Sequence, residues 1–177
     1  MVLNESSGID SNVTTEIMQL EDVERVAQLD ELCFSSPWSL SAYITEMYNR
    51  SSYYIVAKKD GKIVGFAGEW LIMDEAHITT LGVDPELRGQ KIGERLLVNL
   101  LTEALNRGAR RATLEVRRSN SVAQHLYDKY CFHMVAVRRA YYTDNYEDAI
   151  VMWTDDMRDP AFQQVMKANK ERLGEPT

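Results

Sequence analysis

Residues 75–101 read EAHITTLGVDPELRGQKIGERLLVNLL. Ile78, Thr79, Thr80, Leu81 and Val83 are β-branched or apolar and predict a strand, which Asp84 and Pro85 end. Arg88, Gly89, Gln90, Lys91, Ile92 and Gly93 then lead into Ile92, Leu96, Leu97, Leu100 and Leu101, whose spacing is that of one helix face. The free N–H groups of such a first turn, the helix dipole and the charges of Arg88 and Lys91 together favour a phosphate or pyrophosphate. The turn is neither the GxxxxGK[ST] phosphate loop nor the GxGxxG dinucleotide fingerprint. The helix is expected over 91–106, stopped at Gly108, and Ala112 to Val116 follow as a short buried strand. Strand, helix and strand make a right-handed parallel crossover. If its two strands splay beyond the turn, their unpaired backbone offers a slot for an extended, amide-bearing ligand with a pyrophosphate at one end.

Upstream, residues 15–20 suggest a strand, and 21–33 a helix with Val23, Val26, Ala27, Leu29 and Leu32 in register. The connector FSSPWS breaks that helix at Pro37, and Ser39 caps a second one through about Tyr48. Residues 52–58 and 62–71, joined by Asp60 and Gly61, predict a hairpin that continues into the strand at Glu75. Downstream, Ser119 or Asn120 caps a helix carrying Val122, Ala123, Leu126 and Tyr127. Two last strands, 132–139 and 149–153, flank the loop AYYTDNYED. The expected architecture is α/β, with a mixed, mostly antiparallel sheet of six to seven strands, a parallel splayed pair and about four helices. Residues 1–13 are expected to be a loose tail, 14–154 the folded domain, and 155–177 a polar tail in which Phe162, Val165 and Met166 form a short docking helix and 173–177 fray.

The chain has 177 residues, 45% hydrophobic and 27% charged, with a formal net charge of −7. That balance argues against nonspecific nucleic-acid binding and permits a cationic substrate. Cys33 and Cys131 are far apart with no CxxC spacing, so neither a zinc site nor a redox pair is indicated. No apolar run approaches the roughly 20 residues needed to cross a bilayer, and the opening residues lack the order of a secretory signal. A cytoplasmic protein without membrane, metal or specific nucleic-acid partner is expected; its oligomeric state is not legible.

Glu115 and Tyr127 are the candidate acid–base pair. A carboxylate flanked by Leu114 and Val116 is expected in apolar surroundings that push it toward the proton affinity of a general base, and a nearby phenol could protonate a leaving group. The alternatives are a rim ion pair with Arg117 and a packed core ring. Trp38 and Phe34 either plug the core edge or face the substrate.

FSSPWS, DEAHITTLGVDPELRGQKIG, LEVRRSN, AQHLYDKYCF and RRAYYTDNYEDAIVMW together resemble the GNAT superfamily of N-acetyltransferases, in particular its ribosomal-protein-alanine branch, over about residues 14–154. The resemblance implies acetyl-CoA as cosubstrate and a protein N-terminus as acceptor. Leu81, Gly82 and Val83 would hold the pantetheine arm, Arg88 to Gly93 the pyrophosphate, and Asn120 would contact coenzyme A. Glu115 would serve as general base through water, and Tyr127 as acid to the departing thiolate. Tyr141 and Tyr142 would cover the acceptor from a loop opposite Pro37 and Trp38. Acetylation of lysine or a polyamine, or a non-catalytic acetyl-CoA-binding subunit, are the rival readings. Lys91 and Cys131 stand where the family has glycine; a helical backbone at Lys91 would tolerate the change, whereas a left-handed one at Cys131 would cost roughly 1–2 kcal/mol.

Overall fold

Asp60 and Gly61 both take positive φ, 51° and 75°, the twist that a two-residue hairpin turn requires. They join β2 (Ser52–Lys59) to β3 (Lys62–Ile72), and β4 (Glu75–Val83) returns antiparallel to β3. The other strands are β1 (Val13–Ile17), β5 (Arg111–Arg117), β6 (Phe132–Tyr142) and β7 (Glu147–Thr154). In this computed structural model, which describes residues 12–176, they form one sheet of order β1-β2-β3-β4-β5-β7-β6. Only β4 and β5 run parallel, as a helical crossover requires.

Among the described residues five α-helices flank the sheet: α1 (Val23–Cys33), α2 (Leu40–Met47), α3 (Ile92–Asn106), α4 (Ser121–Asp128) and α5 (Pro160–Leu173). They are the four expected flanking helices and, as α5, the docking helix expected in the C-terminal stretch. On one side, Ile92, Leu96, Leu97, Leu100 and Leu101 of α3 pack with Ile55, Ala67, Ala76 and Leu114. On the other, Val23, Val26 and Leu29 of α1 and Tyr43 of α2 pack with Tyr54, Val56 and Phe66. Ser39 caps α2, accepting the Ala42 N–H at 3.2 Å.

Several boundaries differ from the sequence reading. Most of the tail expected over 1–13 lies outside the described residues, but Val13 is buried and opens β1 opposite Lys59, so the first strand starts earlier than expected. The tip expected to fray from residue 173 begins instead with Leu173 fully buried; α5 spans 14 residues because Phe162, Met166 and Leu173 give it an apolar face. Tyr141 and Tyr142 end β6 rather than lying in the loop, which shortens to residues 143–146.

Candidate functional site

The parallel pair is bonded only where Glu75, Ala76 and His77 face Arg111, Ala112 and Thr113. Above that point β4 kinks: Gly68 pairs with Thr80 and Glu69 with Ile78, so Thr79 is the extra residue of a bulge. From there β4 stays with β3 while residues 113–117 of β5 run alongside β7, and a gap opens between them. Leu81, Gly82 and Val83 form one wall of that gap. A Cβ on Gly82 would lie 2.6 Å from the Phe66 ring, so the strand can sit this close to the core only as glycine. The Val83 carbonyl accepts from both Cys33 Sγ and Arg88 Nε, each at 3.3 Å.

The turn after β4 is held by the Asp84 carboxylate, which accepts the Glu86 N–H at 3.1 Å. Gly89 has φ +81° and only open space where a Cβ would be. Lys91 is the N-cap of α3 with φ 63° and ψ 12°, a left-handed residue. The helical backbone expected there is therefore corrected: the helix begins one residue later, at Ile92, and the chain must reverse before entering it. The N–H groups of residues 89–94 have no acceptor among the described residues. A run of unpaired N–H groups flanked by Arg88 and Lys91 at a helix start fits a pyrophosphate.

Asn120 caps α4, accepting the Ala123 N–H at 3.1 Å through Oδ1. That commits its oxygen and leaves its amide NH2 for a ligand. Glu115 is not in the apolar surroundings expected of it. Leu114 and Val116 point to the α3 side, so strand alternation sends Glu115 to the opposite face, where its side chain is 31% exposed and pairs with Arg138 at 3.1 Å. Its partner is Arg138 of β6 and not Arg117. Tyr127 belongs to the α3-side core, tilted against Phe132 with ring centroids 5.8 Å apart. Burial, and secondarily the Tyr142 phenol, push its pKa up to about 12, so it keeps its proton at neutral pH. Glu115 and Tyr127 thus come from opposite faces of the sheet, on β5 and on the helix after it, with no hydrogen bond between them among the described residues. Cys131, just beyond α4, has φ 61°, the left-handed form that glycine would take without strain.

The Glu115 face is closed above by two loops that a single cation ties together. Arg117 Nη2 reaches Asp144 Oδ2 at 2.8 Å and Ser35 Oγ at 3.0 Å, its Nη1 reaches Glu147 at 3.1 Å, and Ser35 itself donates to Asp144 at 2.5 Å. The guanidinium also stacks on Tyr142, 3.9 Å from the ring centroid, and Tyr142 meets Tyr141 edge-on at 5.2 Å. In the FSSPWS connector Pro37 is exposed, while Trp38 is half-buried and its backbone N–H donates to the Asp30 carboxylate at 2.6 Å. Trp38 lies 6.4 Å from Trp70, whose indole N–H donates to Glu46. Register then lines up Trp70, His77, Thr113, Trp153 and His133 across five strands, an aromatic floor below Glu115. The connector and the β6–β7 hairpin therefore do face one another. Sequence reasoning missed Ser35, Asp30, Asp144, Glu147 and the role of Arg117, because no local spacing announces a bridge among three segments. No cluster of three or more His, Cys, Asp or Glu able to hold a metal occurs among the described residues.

Residues 23–131 match the model of the acetyltransferase (GNAT) family. A Bacillus subtilis (strain 168) protein named "Putative [ribosomal protein bS18]-alanine N-acetyltransferase" is 42% identical over 137 residues, 77% of this chain and 91% of that protein. The [ribosomal protein bS18]-alanine N-acetyltransferase of Escherichia coli (strain K12) is 32% identical over 141 residues, covering 78% and 95%. The crystal structure of the ribosomal-protein-S18-alanine N-acetyltransferase from Escherichia coli superposes with a TM-score of 0.76 at 30% identity, covering 81% of this chain and 94% of that one.

Proposed function

Because the chain belongs to the GNAT acetyltransferase family, we propose that this N-acetyltransferase moves the acetyl group of acetyl-CoA to the N-terminal amine of a protein, a ribosomal protein beginning with alanine or a similar small residue. The names of the curated relatives support the acceptor. The observation that carries the reading is the gap between β4 and β5, with unpaired N–H groups at one end and Glu115 and Tyr127 on its two faces.

When bound, acetyl-CoA supplies a thioester carbonyl open to attack by an amine. Residues 89–93, Arg88 and Lys91 would hold the pyrophosphate, Asn120 would offer its amide, and the main chain of Leu81, Gly82 and Val83 would hold the amide-bearing arm. An α-amine of pKa near 7.7–8.0 is about one-quarter neutral at pH 7.4, whereas a lysine near 10.4 is neutral in only about one part in a thousand. The lighter demand on the base favours the N-terminal amine. Glu115, paired with Arg138, accepts the amine proton through water. Tyr127 would serve the departing thiolate. Full transfer from a phenol at about 12 to a thiolate near 8.5 is uphill, so its contribution is chiefly the hydrogen bond that stabilises the thiolate. The aromatic floor and the paired loops receive the acceptor chain, and a ribosomal acceptor puts the reaction in the cytoplasm.

The test is coenzyme A release across N-terminal peptides, internal-lysine peptides and polyamines. Turnover is expected with peptides beginning in alanine; turnover confined to polyamines would overturn the assignment. Glu115→Gln and Tyr127→Phe should each lower kcat about tenfold or more with coenzyme A affinity nearly unchanged, and unaltered rates would remove them from the mechanism.

A further inference from the structure

Glu94 is the third residue of α3, adjacent to Gly93 of the pyrophosphate turn, and is only 6% exposed. A carboxylate in a helix's first turn suits the dipole but opposes any anion bound at the same end. Here three donors converge on its Oε1: Lys129 Nζ at 2.7 Å, the Tyr130 hydroxyl at 2.9 Å, and the guanidinium of Arg172. Arg172 comes from the last turn of α5, which Phe162, Met166 and Leu173 anchor in the core. A second link from the same tail, Glu175 to Arg95, lies beside it. Burial works to push the Glu94 carboxyl up, yet the Lys129, Tyr130 and Arg172 contacts outweigh it and hold the group below its ordinary value. Glu94 therefore stays ionised next to the anion site, and its charge is cancelled by cations from two other elements. With both Lys129 and Arg172 the cluster carries one net positive charge; without Arg172 it carries none.

We propose that Arg172 is a positioning residue for the cofactor grip: reaching from α5, it adds to the Lys129–Glu94 pair the surplus positive charge that keeps the first turn of α3 receptive to the pyrophosphate of coenzyme A. The proposal rests on the reading of that turn given above. A mere staple would need the ion pair for stability alone, whereas an electrostatic role means that removing the Glu94 charge restores the surplus positive charge lost with Arg172.

The two differ in a double-mutant cycle read by calorimetric titration with coenzyme A, beside thermal melting. Arg172→Ala should weaken coenzyme A about fivefold to tenfold, the loss shrinking as salt rises. Adding Glu94→Gln in that background should restore affinity to within about twofold of the unmodified enzyme. Should Arg172→Ala melt below the assay temperature, Arg172→Gln, which keeps much of the stem, carries the same comparison. A double variant as weak as the single one, or a single variant that binds normally, overturns the proposal. Failure of the unmodified enzyme to bind coenzyme A would instead overturn the functional reading on which it rests.

Discussion

Replacing Lys91 by glycine separates the two things that this residue does. Its backbone is left-handed at φ 63°, which costs an L-residue about 1–2 kcal/mol. Glycine removes that strain but brings back roughly 0.5–1 kcal/mol of unfolded-chain freedom. The net expectation is a gain of about 0.5–1 kcal/mol, or about 1–4 °C in Tm for a chain of this size. The same change deletes a cation beside the proposed pyrophosphate site, a loss of about 0.3–1 kcal/mol, or about twofold to fivefold in affinity. Scanning calorimetry and titration with coenzyme A measure the two effects separately. Lys91→Ala is the control: it should lose the same affinity without gaining stability, because alanine keeps the strain. If Lys91→Gly melts at or below the parent, or Lys91→Ala gains as much, the backbone argument is wrong.

Glu69 has no exposed surface, neither carboxylate oxygen finds a hydrogen-bond partner among the described residues, and burial raises its pKa to about 8. As pH rises from about 4.5 toward 8, the unfolded chain gives up a proton that the folded one keeps, so the parent should lose up to a few kcal/mol of stability over that window. Glu69→Gln should not show this loss, and denaturant titrations at several pH values would check it. Gly82→Ala pushes a methyl into the Phe66 ring and should cost about 1–3 kcal/mol, with coenzyme A binding weakened as the strand shifts; an unchanged melting curve would refute the packing argument. Asp144→Ala cuts the bridge from Ser35 to Arg117 and should raise KM for an acceptor peptide while leaving coenzyme A affinity intact, as steady-state kinetics and titration would show. The Ser35 hydroxyl, then Arg117, holds the Asp144 carboxyl below its ordinary value. Its contribution is therefore present above the unfolded value near 3.9 and lost only as pH falls through the lower folded one, so KM in the parent should show no Asp144 titration between pH 6 and 9.

What was legible in the sequence was local. The bounds of β4, the start of α3 to within a residue and the Asp60–Gly61 turn follow from period and turn chemistry acting over a few neighbours. The turn proposed to hold the pyrophosphate is read from the same kind of signal, since its backbone N–H groups lie in one contiguous stretch. Glu115 shows where that kind of reading stops. Its sequence neighbours Leu114 and Val116 suggested an apolar setting, but in a strand adjacent residues look to opposite faces. Its true partner, Arg138, is chosen by the register of β5 on β7 and of β7 on β6. The bridge of Ser35, Arg117 and Asp144 and the convergence of Lys129 and Arg172 on Glu94 were hidden likewise, each joining segments that only the finished fold brings together.

Lys91 and Cys131 carry the point further, because at both, where the resemblance to the family implies glycine, the backbone takes the form that glycine favours. Each keeps a positive φ, 63° and 61°, against the preference of its side chain. Surrounding structure must therefore enforce the turn: at Lys91 the close packing of Ile92 and Gly93 on β4, where a Gly93 Cβ would stand 3.5 Å from Leu81 and Val83; at Cys131 the 3.1 Å bond from its N–H to the Asp128 carbonyl and the burial of Tyr130 and Phe132 on either side. The glycine pattern is thus a record of backbone shape more than of residue type. A chain can lose the glycine and keep the shape wherever its neighbours supply the kilocalorie or two of strain, and at Lys91 it gains a cation at the mouth of the site in return.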